Sequence, residues 1–417
     1  MSSAPISSRP ITNEPSPLPD SQLNSDAPQR PAIAVFDSSP NARSTTMKTV
    51  EGAHTYGIVN AVPAEPGTYT IGVSENMGSR RTMEDAYSFV VDYAGIQGQG
   101  FFAVFDGHAG KHAAEWCGQH FHETLLEKLV ASPDLEIPAT IAQTFLAVDG
   151  ELSKISESGT TQSGCTAVTA FLRLEDANGR QTFAPPLATL VQQITTTPST
   201  SASSSRATTP ATSVASNKRE GGRMTRLMGA ITGGTSKKTG GEEPPRGGMT
   251  AAIKAEGELR RMLYTANVGD ARAVLSRNGK AVRLTYDHKG SDKKEVRRIQ
   301  EAGGFVLNNR VNGVLAVTRS LGDSAMKEYV VGSPYTSTME LNDADEFLII
   351  ACDGLWDVIE DQPAVELIRD SPSAQLAAEN LVRHALDNFS HDNVTVLVVK
   401  FSGSGLRTVL ETGRASA

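Results

Sequence analysis

Residues 101–108 read Phe101-Phe-Ala-Val-Phe-Asp106-Gly107-His108, an apolar run that ends in an acid and a glycine. A second run, Phe347-Leu-Ile-Ile-Ala-Cys-Asp353-Gly354, repeats the pattern. Apolar residues at consecutive positions are typical of strands that are covered on both faces. The two stretches therefore predict buried strands of a layered fold, each followed directly by an aspartate at its C-terminal end.

The rest of the chain mixes further strand-like runs with a few helical patterns. Strand-like runs occur at residues 87–91, 166–172, 262–266, 272–276 and 393–400. Apolar residues spaced three and four apart predict helices at residues 110–130, 137–155 and 373–388, and a short basic helix is predicted at 291–303. Because strands and helices come in blocks rather than in strict alternation, the pattern favours the α+β class.

Two low-complexity segments flank or interrupt the predicted domain. Residues 1–65 carry eight prolines in their first 40 positions and no hydrophobic period, which predicts a disordered N-terminal arm. A Ser/Thr-rich insertion at about 178–257 is also predicted to be disordered, and it separates two strand-like runs. We expect these runs to form a hairpin with an inflated turn, because loop entropy grows only logarithmically. A folded domain at 66–402 and a tail at 403–417 complete the prediction.

The composition argues against several function classes. Lys and Arg total 39 against 47 Asp and Glu, and the net charge of −8 argues against a general nucleic-acid binder. No apolar run approaches the ~20 residues that cross a bilayer, and the first 50 residues carry neither a secretory nor a mitochondrial leader pattern. The three cysteines form no Cys-x-x-Cys pair, which fits a reducing compartment. We expect a monomeric protein of the cytoplasm, the nucleus or both, with no nucleic-acid or membrane partner.

Acidic residues stand at the ends of several predicted strands. Besides Asp106 and Asp353, Glu84 and Asp85 precede the run at 87–91, and Asp392 precedes the run at 393–400. Two carboxylates ~4 Å apart repel by about 4 kcal/mol at an effective dielectric of ~20, so a converged group needs countercharge. Oxygen-only ligands favour Mg²⁺ or Mn²⁺ over Zn²⁺. One Asp-Gly pair alone usually marks a turn, but the repeated pattern indicates a metal site.

Nine motifs resemble, in the same order, those of the metal-dependent protein phosphatases of type 2C, with a fungal-like character. They are Arg80-Arg-Thr-Met-Glu84-Asp85, Phe105-Asp106-Gly107-His108-Ala-Gly110, Ser163-Gly-Cys-Thr-Ala-Val168, Ala266-Asn-Val-Gly-Asp270-Ala-Arg272, Thr285-Tyr-Asp287-His288-Lys289, Arg310-Val-Asn-Gly313, Leu315-Ala-Val-Thr-Arg319-Ser-Leu-Gly322-Asp323, Cys352-Asp353-Gly354-Leu-Trp-Asp357 and Asp392-Asn393-Val-Thr395. Two positions depart from the family pattern: Gly290 stands where Pro is usual, and Cys165 where Ser is common. Neither position is one of the expected metal ligands.

The resemblance implies a fold of two packed antiparallel β-sheets flanked by α-helices, with a metal site at one end. It implies that Asp106 bridges two Mg²⁺ or Mn²⁺ ions. The implied further ligands are Asp353 and Asp392 for one ion, Glu84 and the Gly107 carbonyl for the other, and Asp287, Asp353 and Asp357 for a weaker third ion. Asp270 and Asp323 are expected instead to anchor turns or to pair with Arg272 and Arg319.

The resemblance also implies three catalytic residues. Arg80 would bind the substrate phosphate, although the adjacent Arg81 could exchange roles with it. Asp85 would orient metal-bound water, and His108 would act as general acid for the leaving alkoxide. A surface ion pair for Arg80 and a purely structural role for His108 are the alternatives.

The implied activity is hydrolysis of phosphoserine and phosphothreonine by metal-activated water, without a phosphoenzyme intermediate. A catalytically silent pseudophosphatase that acts as a binding or regulatory module is the alternative. The expected partners are phosphorylated proteins, among them stress-activated kinases, because Val330-Val-Gly-Ser-Pro-Tyr335 resembles the fungal stress-pathway branch of the family. The sequence therefore predicts an enzyme that dampens a kinase signalling cascade.

Overall fold

Two antiparallel β-sheets pack face to face, and helices cover their outer surfaces. The computed structural model describes residues 36–37, 43–49, 52–63, 67–159, 161–176, 179 and 259–402. The strands are β1 Phe36–Asp37, β2 Arg43–Thr49, β3 Gly52–Val59, β4 Val62–Pro63, β5 Tyr69–Asn76, β6 Ala86–Val91, β7 Gly100–His108, β8 Gly164–Glu175, β9 Arg260–Val268, β10 Arg272–Arg277, β11 Lys280–Arg283, β12 Val306–Leu307, β13 Arg310–Val311, β14 Leu321–Gly322, β15 Tyr335–Leu341, β16 Asp345–Ala351 and β17 Val394–Phe401. The α-helices are α1 His112–Ala131, α2 Ile137–Glu157, α3 Lys293–Glu301, α4 Asp353–Trp356, α5 Asp361–Ile368 and α6 Ala374–Asp387.

The larger sheet has the strand order β15-β9-β8-β7-β6-β3-β2, with β14 paired to β8, and the smaller sheet has the order β11-β10-β16-β17-β5. The pairings within both sheets are antiparallel. This arrangement confirms the predicted α+β fold of two packed antiparallel sheets.

Alternation along the central strands explains their unbroken apolar sequences. In β7, Phe102 and Val104 join the core between the two sheets, while Phe101 and Phe105 join the core beneath α1 and α2. Strand β16 does the same for the smaller sheet, whose outer face packs against α4, α5 and α6. Because successive side chains point to opposite faces, a strand covered on both sides must be apolar at every position.

The predicted hairpin around the long insertion is confirmed. Strand β8 pairs with β9 in a continuous register from Ala167↔Val268 to Glu175↔Arg260. The insertion itself, 178–257, lies outside the described residues apart from Gly179, as does the predicted tail at 403–417. The two strands therefore sit side by side although about 80 residues separate them in sequence.

The predicted boundary of the N-terminal arm at residue 65 is too late. Strands β2 and β3 pair with one another, and β3 pairs with β6 through Val59↔Val90, so the chain enters the larger sheet by residue 43. The prolines that suggested an arm end at Pro40, and the following sequence is rich in threonine, which favours strands. Residues 1–35 lie outside the described residues.

Within the described residues, no helix combines the length and apolar character that a membrane span requires.

Candidate metal centre

Four acids from distant parts of the chain meet at one end of the sheet sandwich. Asp106 lies near the end of β7, Asp270 lies in the turn between β9 and β10, and Asp353 opens α4 directly after β16. These three carboxylates each offer an oxygen within 4.8 Å of the others. Asp392, just before β17, lines the same cleft, whose volume is about 480 Å³. We call Asp106, Asp270 and Asp353 the carboxylate cluster.

Glycines next to two of these acids allow the backbones to approach closely. A Cβ atom at Gly107 would lie 2.2 Å from the Glu84 carbonyl oxygen, and one at Gly354 would lie 2.0 Å from the carbonyl oxygen of Asn393. No side chain fits at such distances, so the Asp-Gly pairs draw together the strand ends that carry the acids. Gly107 and Gly354 are therefore required by the close packing of the neighbouring backbone, and not only by a turn.

Burial and mutual repulsion raise the pKa values of the cluster. Burial raises the pKa of Asp106 well above its usual range, and the nearby charges of Asp353 and Asp85 add to the effect. The pKa of Asp353 is raised well above its usual range by burial and by the charge of Asp270. Burial also raises the pKa of Asp85 to about 6. The fully ionised cluster therefore requires positive charge that the folded chain only partly supplies.

The donor set fits a hard divalent cation. The buried Asp270 Oδ1 has no hydrogen-bond partner within the described residues, and no described residue forms an ion pair with Asp106 or Asp353. A buried carboxylate oxygen without a donor costs about 1–3 kcal/mol or more unless another partner satisfies it. Oxygen ligands alone are the preferred set of Mg²⁺ and Mn²⁺. Asp106, Asp270, Asp353 and Asp392 could hold such ions.

Asn393 fixes the loop that carries Glu84. Its side-chain Nδ2 donates to the carbonyl oxygens of Met77 (2.8 Å) and Thr82 (3.0 Å), and its Oδ1 accepts from the Glu84 backbone N–H at 2.8 Å. The Glu84 carboxylate in turn accepts from the Gly110 backbone N–H at 3.0 Å. Glu84 therefore lines the same cleft as Asp106 in a fixed position, and its role as a metal ligand stays a prediction.

Asp85 lies behind the cluster rather than in the cleft. It is buried, and its Oδ2 accepts a hydrogen bond from Thr395 Oγ1 at 2.7 Å. Its charge raises the pKa of Asp106, which shows that the two carboxylates are electrostatically linked. This placement is consistent with a residue that orients the cluster without opening into solvent.

Two adjacent arginines line the rim of the cleft but make different contacts. Arg80 Nη2 donates to Asp392 Oδ2 at 2.6 Å, and its side chain is 61% exposed. No ion pair joins Arg81 to an acid within the described part of the chain. Because Arg80 reaches a cluster-side acid while remaining exposed, it is the better placed of the two to bind an incoming anion.

His108 lies in the cleft wall beside Asp323. His108 Nε2 is 2.8 Å from Asp323 Oδ2, and Ser320 Oγ donates to the same carboxylate oxygen. One quarter of the His108 side chain is exposed, whereas that of Asp323 is 9% exposed. The imidazole is therefore held by a largely buried acid while one part of it still reaches the cleft.

The structure does not place Asp287 in the carboxylate cluster. Asp287 instead accepts two hydrogen bonds from Arg272, at 3.2 Å to Nε and 2.5 Å to Nη2. That guanidinium neutralises the charge that was expected to hold a third ion, and Asp270 occupies the corresponding place in the cluster. Asp357 was also expected to hold the third ion. Its charge acts on Asp353, and its side chain is 59% exposed and pairs with Lys289.

The expected pairings of the two remaining acids are wrong. Arg272 pairs with Asp287 and Asp361 rather than with Asp270. Arg319 pairs with Glu295, and Asp323 pairs with His108. Closeness in sequence suggested these pairs, but tertiary contacts give each arginine a different acid: Asp287 and Asp361 for Arg272, and Glu295 for Arg319.

Sequence reasoning underrated Asp270 and gave no role to Asn393. A signal for Asp270 was present in the sequence. Asp270 follows the apolar run of β9 and a glycine, so it stands at the end of a strand, as Asp106 and Asp353 do. No comparable signal marks Asn393, since its partners Met77 and Thr82 lie more than 300 residues away in sequence.

The chain is similar to known proteins over most of its length. The family model described as Protein phosphatase 2C matches residues 69–178 and 214–394. The chain is 40% identical over 334 residues to Protein phosphatase 2C homolog 1 of Saccharomyces cerevisiae, covering 80% of this chain and 93% of that protein. It is 36% identical over 359 residues to the Schizosaccharomyces pombe protein of the same description, covering 85% of this chain and 80% of that protein.

Solved structures resemble the chain in fold. A crystal structure of serine-threonine phosphatase 2C from Toxoplasma gondii matches with a TM-score of 0.55 and 18% identity, covering 87% of this chain and 100% of that one. A structure of a C. elegans sex determining protein matches with a TM-score of 0.57 and 21% identity, covering 84% of this chain and 68% of that one. At these identities the likeness concerns the fold alone.

Proposed function

Because this chain belongs to the protein phosphatase 2C family and is a protein serine/threonine phosphatase, we propose that it hydrolyses phosphoserine and phosphothreonine with Mg²⁺ or Mn²⁺ as cofactor and without a phosphoenzyme intermediate. The observation that carries the proposal is the buried carboxylate cluster, which lies in a cleft rimmed by Arg80. The family is metal-dependent, and the cluster is a donor set for such ions.

The residues that would hold the cations are Glu84, Asp106, the Gly107 carbonyl, Asp270, Asp353 and Asp392. When bound, divalent cations neutralise the phosphate ester and lower the pKa of water enough to make a nucleophile near neutral pH. The chain itself keeps the acids in place through Asn393 and through the Asp-Gly contacts. This fixed arrangement spares the site from reorganising when the reaction occurs.

Arg80 and His108 would act on opposite ends of the phosphoester. Arg80 is exposed at the rim and can offer its planar guanidinium to two phosphate oxygens. The imidazole of His108 can deliver a proton to the departing serine or threonine oxygen, while Asp323 fixes the ring. Both side chains line the same cleft.

The cysteines argue for direct attack by water rather than for a cysteinyl-phosphate. Cys117, Cys165 and Cys352 are buried, and none of them lines the cleft. Burial raises the pKa values of the Cys165 and Cys352 thiols well above their usual range, which removes the thiolate that a covalent mechanism needs.

The proposal is tested by phosphate release from a phosphothreonine peptide. We expect hydrolysis with Mn²⁺ or Mg²⁺, loss of hydrolysis on treatment with EDTA, and recovery on adding the metal back. A phosphotyrosine peptide should react at least ~10-fold more slowly. If no phosphate is released with either metal, the chain acts as a pseudophosphatase and the proposed function is wrong.

Arg80→Ala should lower kcat/KM for the phosphothreonine peptide by about 30-fold, or ~2 kcal/mol, because the charged hydrogen bonds to phosphate are lost. The matched control is Arg81→Ala, which should stay within about threefold of the wild type because Arg81 does not contact a cluster-side acid. Steady-state kinetics of the two variants decide between them. Equal losses would mean that the two arginines share the role, and a larger loss for Arg81→Ala would reverse the assignment.

We further propose that the physiological substrates are phosphorylated proteins of a kinase cascade, stress-activated kinases among them. The support is the motif at 330–335, which resembles the fungal stress-pathway branch of the family. Ser16-Pro, Ser39-Pro, Thr197-Pro and Thr209-Pro lie outside the described residues and would be sites of reciprocal control by such kinases. We propose that the protein acts as a monomer in the cytoplasm, the nucleus or both.

A further inference from the structure

A lysine ammonium lies against one side of the carboxylate cluster. Lys289 Nζ is 3.3 Å from Asp270 Oδ2 and 3.1 Å from Asp357 Oδ1. Asp270 belongs to the cluster together with Asp106 and Asp353. Lys289 is therefore a positive charge supplied by the chain itself where the acids would otherwise attract a further cation.

The ammonium of Lys289 contacts only one of the two carboxylate oxygens of Asp270. Asp270 Oδ1 is buried and has no hydrogen-bond partner within the described residues, and the whole Asp270 side chain is only 8% exposed. A single ammonium on Oδ2 leaves that oxygen unsatisfied. A divalent ion bound among Asp270, Asp353 and Asp357 would satisfy it, since carboxylate oxygens are the ligands that such ions prefer.

The backbone around Lys289 is fixed, whereas its side chain can move. The His288 backbone N–H donates to the Gly269 carbonyl at 2.9 Å, the Thr318 N–H donates to the His288 carbonyl at 3.1 Å, and Lys289 forms a bridge with Val317. The Lys289 side chain is 36% exposed, so it can rotate into solvent without unfolding this segment. Exchange of the ammonium for another cation requires only that rotation.

The charge balance favours competition rather than coexistence. Within the described residues, Arg80 and Lys289 are the cations that form ion pairs with the acids of the cleft. An ion bound to Asp270 and Asp357 would lie within a few ångströms of the ammonium, and like charges at ~5 Å repel strongly outside bulk water. The two cations cannot both occupy these oxygens.

We propose that Lys289 holds the place of a third divalent ion, and that such an ion binds Asp270, Asp353 and Asp357 only after it displaces the ammonium. The inference rests on the proposed metal-dependent function. It explains the weak binding expected of the third ion by competition with the Lys289 ammonium.

The test counts Mn²⁺ ions bound to the full chain by the electron paramagnetic resonance signal of free Mn²⁺. The wild type should bind two ions more tightly than a third. Lys289→Met should tighten the third ion about tenfold and leave the first two within about twofold, because a competing charge is removed. Lys289→Arg keeps the charge and should stay within about threefold of the wild type. Unchanged or weaker binding of the third ion to Lys289→Met would overturn the proposal.

A second measurement on the wild type does not depend on a variant that folds. Amine acetylation followed by mass spectrometry should label Lys289 several-fold faster when Mn²⁺ fills the third site, whereas the exposed Lys280 serves as internal control and should not change. Equal labelling of Lys289 with and without Mn²⁺ would also refute the proposal. Both readouts count ions or amines rather than phosphate, so their failure leaves the hydrolysis test of the proposed function unaffected.

Discussion

Replacing Asp353 with asparagine should lower the rate of phosphothreonine hydrolysis at least about 1000-fold, which corresponds to ~4 kcal/mol of transition-state stabilisation. Asp353 lies in the carboxylate cluster with Asp106 and Asp270, and a neutral amide cannot replace its charge in holding a cation. The measurement is phosphate release at saturating Mn²⁺.

The same substitution should leave the metal-free protein folded, with an equal or higher melting temperature. The reason is that the pKa of Asp353 is raised well above its usual range by burial and by the charges of Asp270 and Asp357, so its ionised form destabilises the folded state. Asp387→Asn, at an exposed position, is the control and should change neither quantity. Wild-type turnover in Asp353→Asn would refute the ligand assignment, and an unfolded variant would assign Asp353 a structural role.

Replacing His108 with glutamine should lower kcat for a phosphothreonine peptide by about 100-fold, the usual contribution of a general acid. The alkoxide of threonine is a poor leaving group and needs a proton, whereas p-nitrophenolate leaves readily without one. The variant should therefore hydrolyse p-nitrophenyl phosphate within about fivefold of the wild-type rate. Parallel assays of the two substrates measure the difference.

His112→Gln provides the matched control, because His112 begins α1 only four residues later and its side chain is exposed. It should react like the wild type with both substrates. Equal losses on the peptide and on p-nitrophenyl phosphate for His108→Gln would contradict the proton-donor role. That result would favour the structural alternative, in which the contact with Asp323 only stabilises the turn.

The layered fold was predictable because its central strands are apolar at every position. Phe101 to Phe105 and Phe347 to Ala351 each supply side chains to two hydrophobic cores. A strand in that place needs an apolar residue at every position, and this pattern is visible in the sequence. The entry of β2 into the larger sheet was not predictable in the same way. Its sequence, Arg-Ser-Thr-Thr-Met-Lys-Thr, carries little apolar period and follows a proline-rich stretch.

The site was predictable where an acid follows or precedes a buried strand, and not where the partner of an acid is set by tertiary contacts. Asp106 and Asp353 belong to the first group, and the structure brings them together. Asp287 belongs to the second, because its charge is cancelled by Arg272, which reaches it from β10. Motif resemblance alone could not separate Asp287 from Asp270, since both lie outside the strands in the matched motifs.

The central claim is that the carboxylate cluster gathers the cations on which phosphoester hydrolysis depends. The most direct measurement counts bound Mn²⁺ and released phosphate in the same samples, starting from full-length chain stripped with EDTA. We predict no release from the metal-free chain and a rate that rises as the two tighter Mn²⁺ ions fill. Asp353→Asn should lose one of these two ions and nearly all of the release. Full-rate release from samples that hold no metal would contradict the account.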